Sequence, residues 1–149
     1  MTSPMLDRMQ IALSQIPLFN LGFRPFFLGA ALFAIASMIL WMGVYAFQLP
    51  VPIEGISIIQ WHAHEMIYGF TMAVIAGFLL TAVKNWTGVQ TVYGLKLLGL
   101  FSLWAAARIL FLFGTHFITL AAIADMLFMA GLMIAVASPV IQVKQWKQI

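Results

Sequence analysis

Long apolar stretches dominate the chain, and short segments between them collect most of the polar residues. A helix that crosses the hydrocarbon core of a bilayer needs about 20 mainly apolar residues. Four stretches reach that length and are predicted to be transmembrane helices, at about 25–47, 60–83, 95–114 and 117–140. The pattern therefore predicts an all-α integral membrane protein, built as a bundle of four transmembrane helices.

Turn-forming residues mark the connections between these predicted helices. Pro50 and Pro52 lie in the first connection, Gly88 and Gly94 bound the second, and Gly114 marks the third. The third connection is very short. The last two helices must therefore form a tight antiparallel hairpin.

The positions of the basic residues predict how the helices are oriented. Six Lys and Arg residues lie before the first helix, between the second and third, or after the fourth, whereas the other two connections contain none. Loops rich in Lys and Arg face the cytoplasm. We therefore predict cytoplasmic termini, with residues 1–24 as a cytoplasmic or interfacial segment, 25–140 as the transmembrane domain and 141–149 as a cytoplasmic tail.

The composition supports the membrane assignment and excludes several other classes. Hydrophobic residues make up 64% of the chain and charged residues only 7%, whereas a soluble domain carries about 25% charged residues. The net charge of +3 comes from basic residues at helix ends and forms no stripe for nucleic acid. Because cysteine is absent, any metal must use His, Met or carboxylate ligands.

The motif WHAHEM, at the predicted outer end of the second helix, concentrates the scarce polar groups. On a regular helix His62 shares a face with Glu65, whereas His64 lies about 200° around from His62. One metal ion therefore cannot bind both imidazoles unless the first turn is irregular; otherwise the two serve different sites. Glu65 is placed to orient a histidine ligand or to handle protons.

Two interpretations of this motif stay open. The groups can simply be solvated at the membrane interface, or His62 and His64 can bind haem iron or copper, for which histidine is a common ligand. A zinc-protease HExxH motif is excluded, because its second histidine position holds Tyr68.

Below the motif, Gly69, Ala73 and Gly77 repeat every four residues. This small-residue stripe allows close approach of another helix or of a flat ring, and helix packing is the preferred interpretation. The stripe continues the face of His62, so that face is predicted to point into the bundle.

Arg108 and Asp125 are charged residues well inside the third and fourth helices. They lie about 9 Å and 12 Å from the connecting turn, so an antiparallel hairpin can bring them together. We predict an intramembrane ion pair; the alternative is that Arg108 contacts an anionic cofactor group, with Asp125 orienting it. His116, in the outer turn, either completes a metal site or is simply exposed. No catalytic residue is assigned.

Several motifs occur in an order that resembles the NnrS family. They are PLFNLGFRPFF (17–27), WHAHEMIYGF (61–70), AVIAGFLLTAVKNWTG (73–88), and the segment from Trp104 to Arg108. The resemblance spans roughly residues 17–140 and implies a multi-pass protein of the bacterial inner membrane. It also implies that this chain corresponds to the N-terminal portion of longer members.

The resemblance further implies cofactors and a physiological setting. Members of that family are described as containing haem and copper and are associated with denitrification and nitric oxide. His62 and His64 thereby become candidate haem or copper ligands, with Glu65 beside them as a candidate cofactor residue. His116, from its position in the outer turn, is the third candidate metal ligand. Arg24, in the first matching motif, receives no role.

Three functional hypotheses follow. The first is haem or copper binding near the outer face, in nitric oxide metabolism or tolerance, with nitric oxide as a ligand; three histidines are few for a reductase, so no enzyme is predicted. The second is a transport module that uses Arg108 and Asp125 as a proton or substrate relay. The third is a non-catalytic subunit that forms a homo-oligomer or joins a partner carrying further helices.

Overall fold

Four long helices account for most of the described structure, a computed structural model that describes residues 5, 8, 9, 11, 12, 16–50, 56–114 and 116–143. The helices are α1 (Phe23–Phe47), α2 (Ile58–Thr87), α3 (Gly94–Phe111) and α4 (Ile118–Gln142), and a short 3-10 turn, Pro17–Phe19, precedes them. No strand occurs among the described residues.

All four helices are long and apolar enough to cross a membrane, which confirms the predicted all-α, four-span architecture. Which face of the membrane holds the termini stays a prediction. The predicted tail from residue 144 onward and most of the N-terminal segment before residue 16 lie outside the described residues.

The helix ends differ by a few residues from those predicted. α3 ends at Phe111 rather than near Gly114. Its last turn tightens, because Leu112 and Phe113 donate backbone hydrogen bonds to carbonyls only three residues earlier. Gly114 then takes a φ of 75°, a left-handed conformation that favours glycine and reverses the chain into α4.

A capping box fixes the start of α2. The Ser57 hydroxyl accepts a hydrogen bond from the Gln60 amide at 3.2 Å, and the Gln60 side chain accepts one from the Ser57 amide at 3.1 Å. These bonds satisfy amide groups that an α-helix leaves without partners at its N-terminus. They also fix the position from which WHAHEM enters the bundle.

Aromatic side chains fill the core between α1, α3 and α4. Phe26 is fully buried, and its ring lies 5.6 Å from Phe101, 6.4 Å from Trp104 and 5.8 Å from Phe128 between centroids. The edge-on and tilted arrangements are those that aromatic pairs prefer. This cluster holds α3 and α4 against the first turns of α1.

The small-residue stripe of α2 packs against α1. A side chain at Gly77 would place its Cβ 2.8 Å from the Phe27 ring and 3.3 Å from the Phe23 Cα. Ala73 is fully buried, and a Cβ at Gly69 would overlap the Phe33 ring. The stripe therefore serves helix packing, the interpretation preferred from the sequence.

We expect Gly77→Leu to destabilise the protein, because the added side chain would overlap the backbone and ring of α1. Forcing a larger side chain into a packed site costs about 1–3 kcal/mol. Unfolding in detergent, followed by circular dichroism, measures the loss. Gly99→Leu is the matched control: Gly99 lies in an exposed part of α3 with no neighbouring atom within 4 Å of an added Cβ. Equal stability of the two variants would contradict the packing role of the stripe.

Candidate functional site

Four ionisable side chains from three helices meet near the predicted outer end of the bundle. They are His64 and Glu65 from α2, Arg108 from α3 and Asp125 from α4, and we refer to them as the polar cluster. Glu65 is 0% exposed, Arg108 5% and Asp125 6%. Charged groups buried this deeply must be paired, so their partners define the site.

Arg108 lies at the centre of the polar cluster. Its Nη1 donates a hydrogen bond to Oε1 of Glu65 at 3.1 Å, and its Nη2 donates to both carboxylate oxygens of Asp125. Hydrogen bonds between a guanidinium and a carboxylate are about twice as strong as neutral ones. One side chain thus links α2, α3 and α4.

The charges of the cluster do not balance without His64. With Glu65, Asp125 and Arg108 ionised, the sum is one net negative charge in a region that the hydrophobic spans place within the bilayer. His64 is the group next to that excess charge. A positive charge at its imidazole, from a proton or a metal ion, would neutralise the site.

The His64 ring is held in a defined orientation. Its Nδ1 lies 3.2 Å from Oε1 of Glu65, and its Nε2 lies 3.7 Å from Oδ2 of Asp125, which is beyond hydrogen-bond distance. The ring stacks on Tyr68 at 4.7 Å and contacts Phe111 at 4.3 Å. A carboxylate on one ring nitrogen is the usual arrangement around a metal-binding histidine, whose other nitrogen carries the metal.

A π-helix runs through α2 directly after His64. Residues Glu65–Thr71 form this wider turn, between α-helical segments that end at His64 and resume at Met72. Such segments inside α-helices occur frequently at functional sites. Here the widened turn begins at Glu65, the residue that contacts both His64 and Arg108.

Side chains around the π-helix bond to its backbone. Trp104 donates from its indole nitrogen to the Gly69 carbonyl at 2.9 Å, and the Thr71 hydroxyl donates to the Met66 carbonyl at 2.8 Å. Gly69 also leaves room for the guanidinium, because a Cβ there would lie 3.0 Å from Nη1 of Arg108. The widened turn and the position of Arg108 therefore depend on each other.

His62 points toward a different part of the molecule. Its ring stacks on Trp41 of α1, with centroids 4.2 Å apart, and its Nδ1 is buried without a hydrogen-bond partner among the described residues. The two histidines thus occupy separate environments, the second of the two possibilities that the sequence left open. Glu65 shares a face with His62 on a regular helix, but its carboxylate bonds to the adjacent His64 and to Arg108.

The remaining metal candidates are not gathered into one site. His116 is exposed in the turn between α3 and α4. Within the described part of the chain, no three His, Asp or Glu side chains lie close enough together to hold a metal ion. The arrangement therefore offers single imidazole donors, of which His64 is the one with an orienting carboxylate.

Sequence reasoning brought out the approach of Arg108 to Asp125 but missed three features of the site. The Glu65–Arg108 bond joins residues 43 positions apart, a distance over which one sequence gives no pairing signal. Trp104, the donor to the π-helix, lies four residues before Arg108 and so on the same face of α3. This spacing of four residues was a signal that Trp104 lies near the site. The sequence gives no signal that Trp41 stacks on His62.

A comparison with known protein families identifies the family of the chain. The family model described as NnrS protein matches residues 17–149 of the chain. The chain belongs to the NnrS family. No curated protein and no solved structure gave a significant match. Family membership and the four spans together identify this NnrS-family chain as a multi-pass membrane protein.

In this NnrS-family protein, we expect Arg108→Met to be strongly destabilising. The substitution leaves Glu65 and Asp125 buried without their shared counter-charge, and removing one partner of a buried pair costs about 3–5 kcal/mol. Asp125→Asn should cost less, because the Arg108–Glu65 bond remains. Unfolding in detergent gives both values.

Lys96→Met is the matched control, since it removes a basic side chain from an exposed position of the same helix. Its effect should stay within about 0.5 kcal/mol. An Arg108→Met protein as stable as the Lys96→Met protein would show that the polar cluster does not hold the helices together.

Proposed function

We propose that this NnrS-family membrane protein binds haem, copper or both at the predicted outer end of its bundle, and that it acts in nitric oxide metabolism or tolerance. The observation that carries the proposal is His64, an imidazole oriented through Nδ1 by the buried carboxylate of Glu65, in a chain of this family. The haem and copper themselves come from the family resemblance.

His64 is the preferred ligand among the three histidines. Its Nε2 makes no hydrogen bond within the described structure, while Nδ1 is held by Glu65. The side chain of His64 is 30% exposed, so an approaching group can reach the ring. The Nδ1 of His62, by contrast, is buried beside the ring of Trp41, which makes His62 the second candidate.

The donor set fits haem better than an isolated copper ion. Haem iron requires only one or two axial ligands from the protein, and a single oriented imidazole supplies one. A copper site commonly uses three or more side-chain ligands, and the described residues provide no such group. Copper binding by this chain would therefore need further donors beside His64.

Unpaired polar atoms near the site support the presence of a ligand. Oε2 of Glu65 and Nε of Arg108 are buried without hydrogen-bond partners among the described residues. Such orphaned groups are uncommon in folded proteins and call for an explanation. A cofactor bearing polar substituents would provide partners for both, and a cation at His64 would neutralise the excess negative charge.

The residues of the chain have distinct roles in this proposal. His64 holds the metal, Glu65 fixes the imidazole, and Arg108 keeps both carboxylates in place, while Tyr68 and Phe111 restrict the movement of the ring. When bound, haem iron or copper would supply a coordination position for nitric oxide.

We expect the protein purified in mild detergent to show a Soret band and bound iron, and His64→Ala to lose both. Visible spectroscopy and metal counting measure this directly. Nitric oxide added to the coloured protein should shift the band if a coordination position is open. Circular dichroism verifies that the variant keeps its helices.

His116→Ala is the matched control, because it removes an exposed imidazole from the same predicted side of the membrane. This control should keep the band. Loss of the band in His116→Ala alone, or a full band in His64→Ala, would refute the assignment of His64. A folded, colourless and metal-free wild-type protein would refute cofactor binding.

The continuity of the polar cluster favours a transport module as the second candidate function. Asp125 contacts Arg108 and lies 3.7 Å from His64, which in turn contacts Glu65. Ionisable groups inside transmembrane helices often mark ion or proton pathways. This function predicts flux without a coloured cofactor.

If the second candidate holds, we expect liposomes containing the protein to conduct protons, and Asp125→Asn to abolish most of that flux. The amide cannot exchange a proton as the carboxylate does. A pH-sensitive dye inside the liposomes reports the rate, with protein-free liposomes as the baseline. Equal flux in wild type and Asp125→Asn, or none above the baseline, would exclude the relay.

A further inference from the structure

A basic cleft lies at the end of the bundle opposite the polar cluster. It has a volume of about 460 Å³ and is lined by Asn20, Leu21, Arg24, Lys84, Gln90 and Tyr93. Arg24 belongs to the family motif that received no role from the sequence. Neither it nor Lys84 takes part in the site described above.

Three segments of the chain build the basic cleft. They are the turn before α1 with the first turn of α1, the last turns of α2, and the loop that leads into α3. The loop is anchored by the Thr91 hydroxyl, which donates to the Leu80 carbonyl at 2.9 Å. Arg24 is held by a 2.6 Å hydrogen bond from Nη1 to the Pro17 carbonyl. The cleft is therefore part of the folded structure.

The positive charges of the cleft lack neutralising carboxylates among the described residues. The two acidic side chains in that part of the chain, Glu65 and Asp125, both contact Arg108. Lys84 lies nineteen residues beyond Glu65 on the same helix, which corresponds to roughly 28 Å. Two half-buried cations thus face one cleft, and Arg24 still has donors free because a guanidinium carries five.

An apolar groove adjoins the basic cleft. It has a volume of about 570 Å³, and Pro17, Leu18, Phe23, Arg24 and Phe27 line it. Arg24 is common to both cavities. A molecule that enters at Arg24 therefore meets cations on one side and hydrocarbon side chains on the other.

We propose that the basic cleft and the apolar groove together bind an anionic phospholipid. Its phosphate contacts Arg24 and Lys84, the amide side chains of Asn20 and Gln90 contact the polar headgroup, and an acyl chain lies along Phe23 and Phe27. Basic pockets between transmembrane helices at the cytoplasmic surface bind anionic headgroups, and the predicted orientation places the cleft there. The groove favours a lipid over free phosphate, which has nothing to place against apolar side chains.

The test titrates protein in neutral detergent with phosphatidylglycerol and counts bound lipids by native mass spectrometry. A neutral micelle has no anionic surface, so general attraction of basic residues to a membrane does not contribute. We expect the double variant Arg24→Gln/Lys84→Gln to bind roughly 30-fold more weakly, from about fivefold for each ion pair with the phosphate. Phosphatidylcholine with the same acyl chains should bind poorly.

Lys96→Gln is the matched control, because Lys96 is a basic residue at the same end of the bundle that does not line the cleft. It should bind phosphatidylglycerol as the wild type does. Arg24→Lys/Lys84→Arg keeps both charges and should also bind, which separates loss of charge from misfolding of the glutamine variants.

Two results would overturn the proposal. The first is equal binding by the double glutamine variant and Lys96→Gln, since the cleft residues would then have no special part. The second is displacement of the lipid by millimolar inorganic phosphate, which would indicate a site for free anions.

Discussion

The hydrogen bonds from Arg108 to two carboxylates determine how the predicted outer half of the bundle is arranged. They join α2, α3 and α4 through a single side chain. An unpaired charge within a transmembrane helix costs at least about 2.5 kcal/mol, so arrangements that separate these groups are penalised. A helix displaced by one residue moves by about 1.5 Å, enough to break such a bond. The polar cluster therefore favours one register of these three helices.

The π-helix in α2 lies directly beside these hydrogen bonds. Widening at Glu65 gives the carboxylate access to both His64 and Arg108. Trp104, from the helix that carries Arg108, bonds to the widened segment at Gly69. Contacts from α3, which carries both Trp104 and Arg108, thus stabilise this rare helical form. The His64 imidazole and the Arg108 guanidinium share one carboxylate oxygen of Glu65.

Features that depend on the length of an apolar stretch, or on the depth of a residue within its helix, were predicted from the sequence. Features that depend on local helical geometry were missed. Four spans followed from four apolar stretches, because lipid imposes a minimum length. The approach of Arg108 to Asp125 followed from their similar depths in a hairpin. The faces along α2 were assigned from 3.6 residues per turn, and the π-helix over Glu65–Thr71 changes that angle for the residues that follow Glu65. Nothing in the apolar pattern signals such a turn, since it is stabilised by Trp104 and Arg108, far away in the chain.

The excess negative charge of the polar cluster connects the fold to the proposed cofactor. Arg108 can neutralise only one of its two carboxylates, and a further proton or metal ion bound in the cluster would neutralise the other. A metal held by His64 would satisfy this need and strengthen the same interhelical contacts that hold the bundle in register. Binding and helix packing would then be thermodynamically linked, because a ligand that binds only the folded state stabilises it. Oε2 of Glu65 is buried and unpaired among the described residues, and a bound ligand with polar groups would give it a partner.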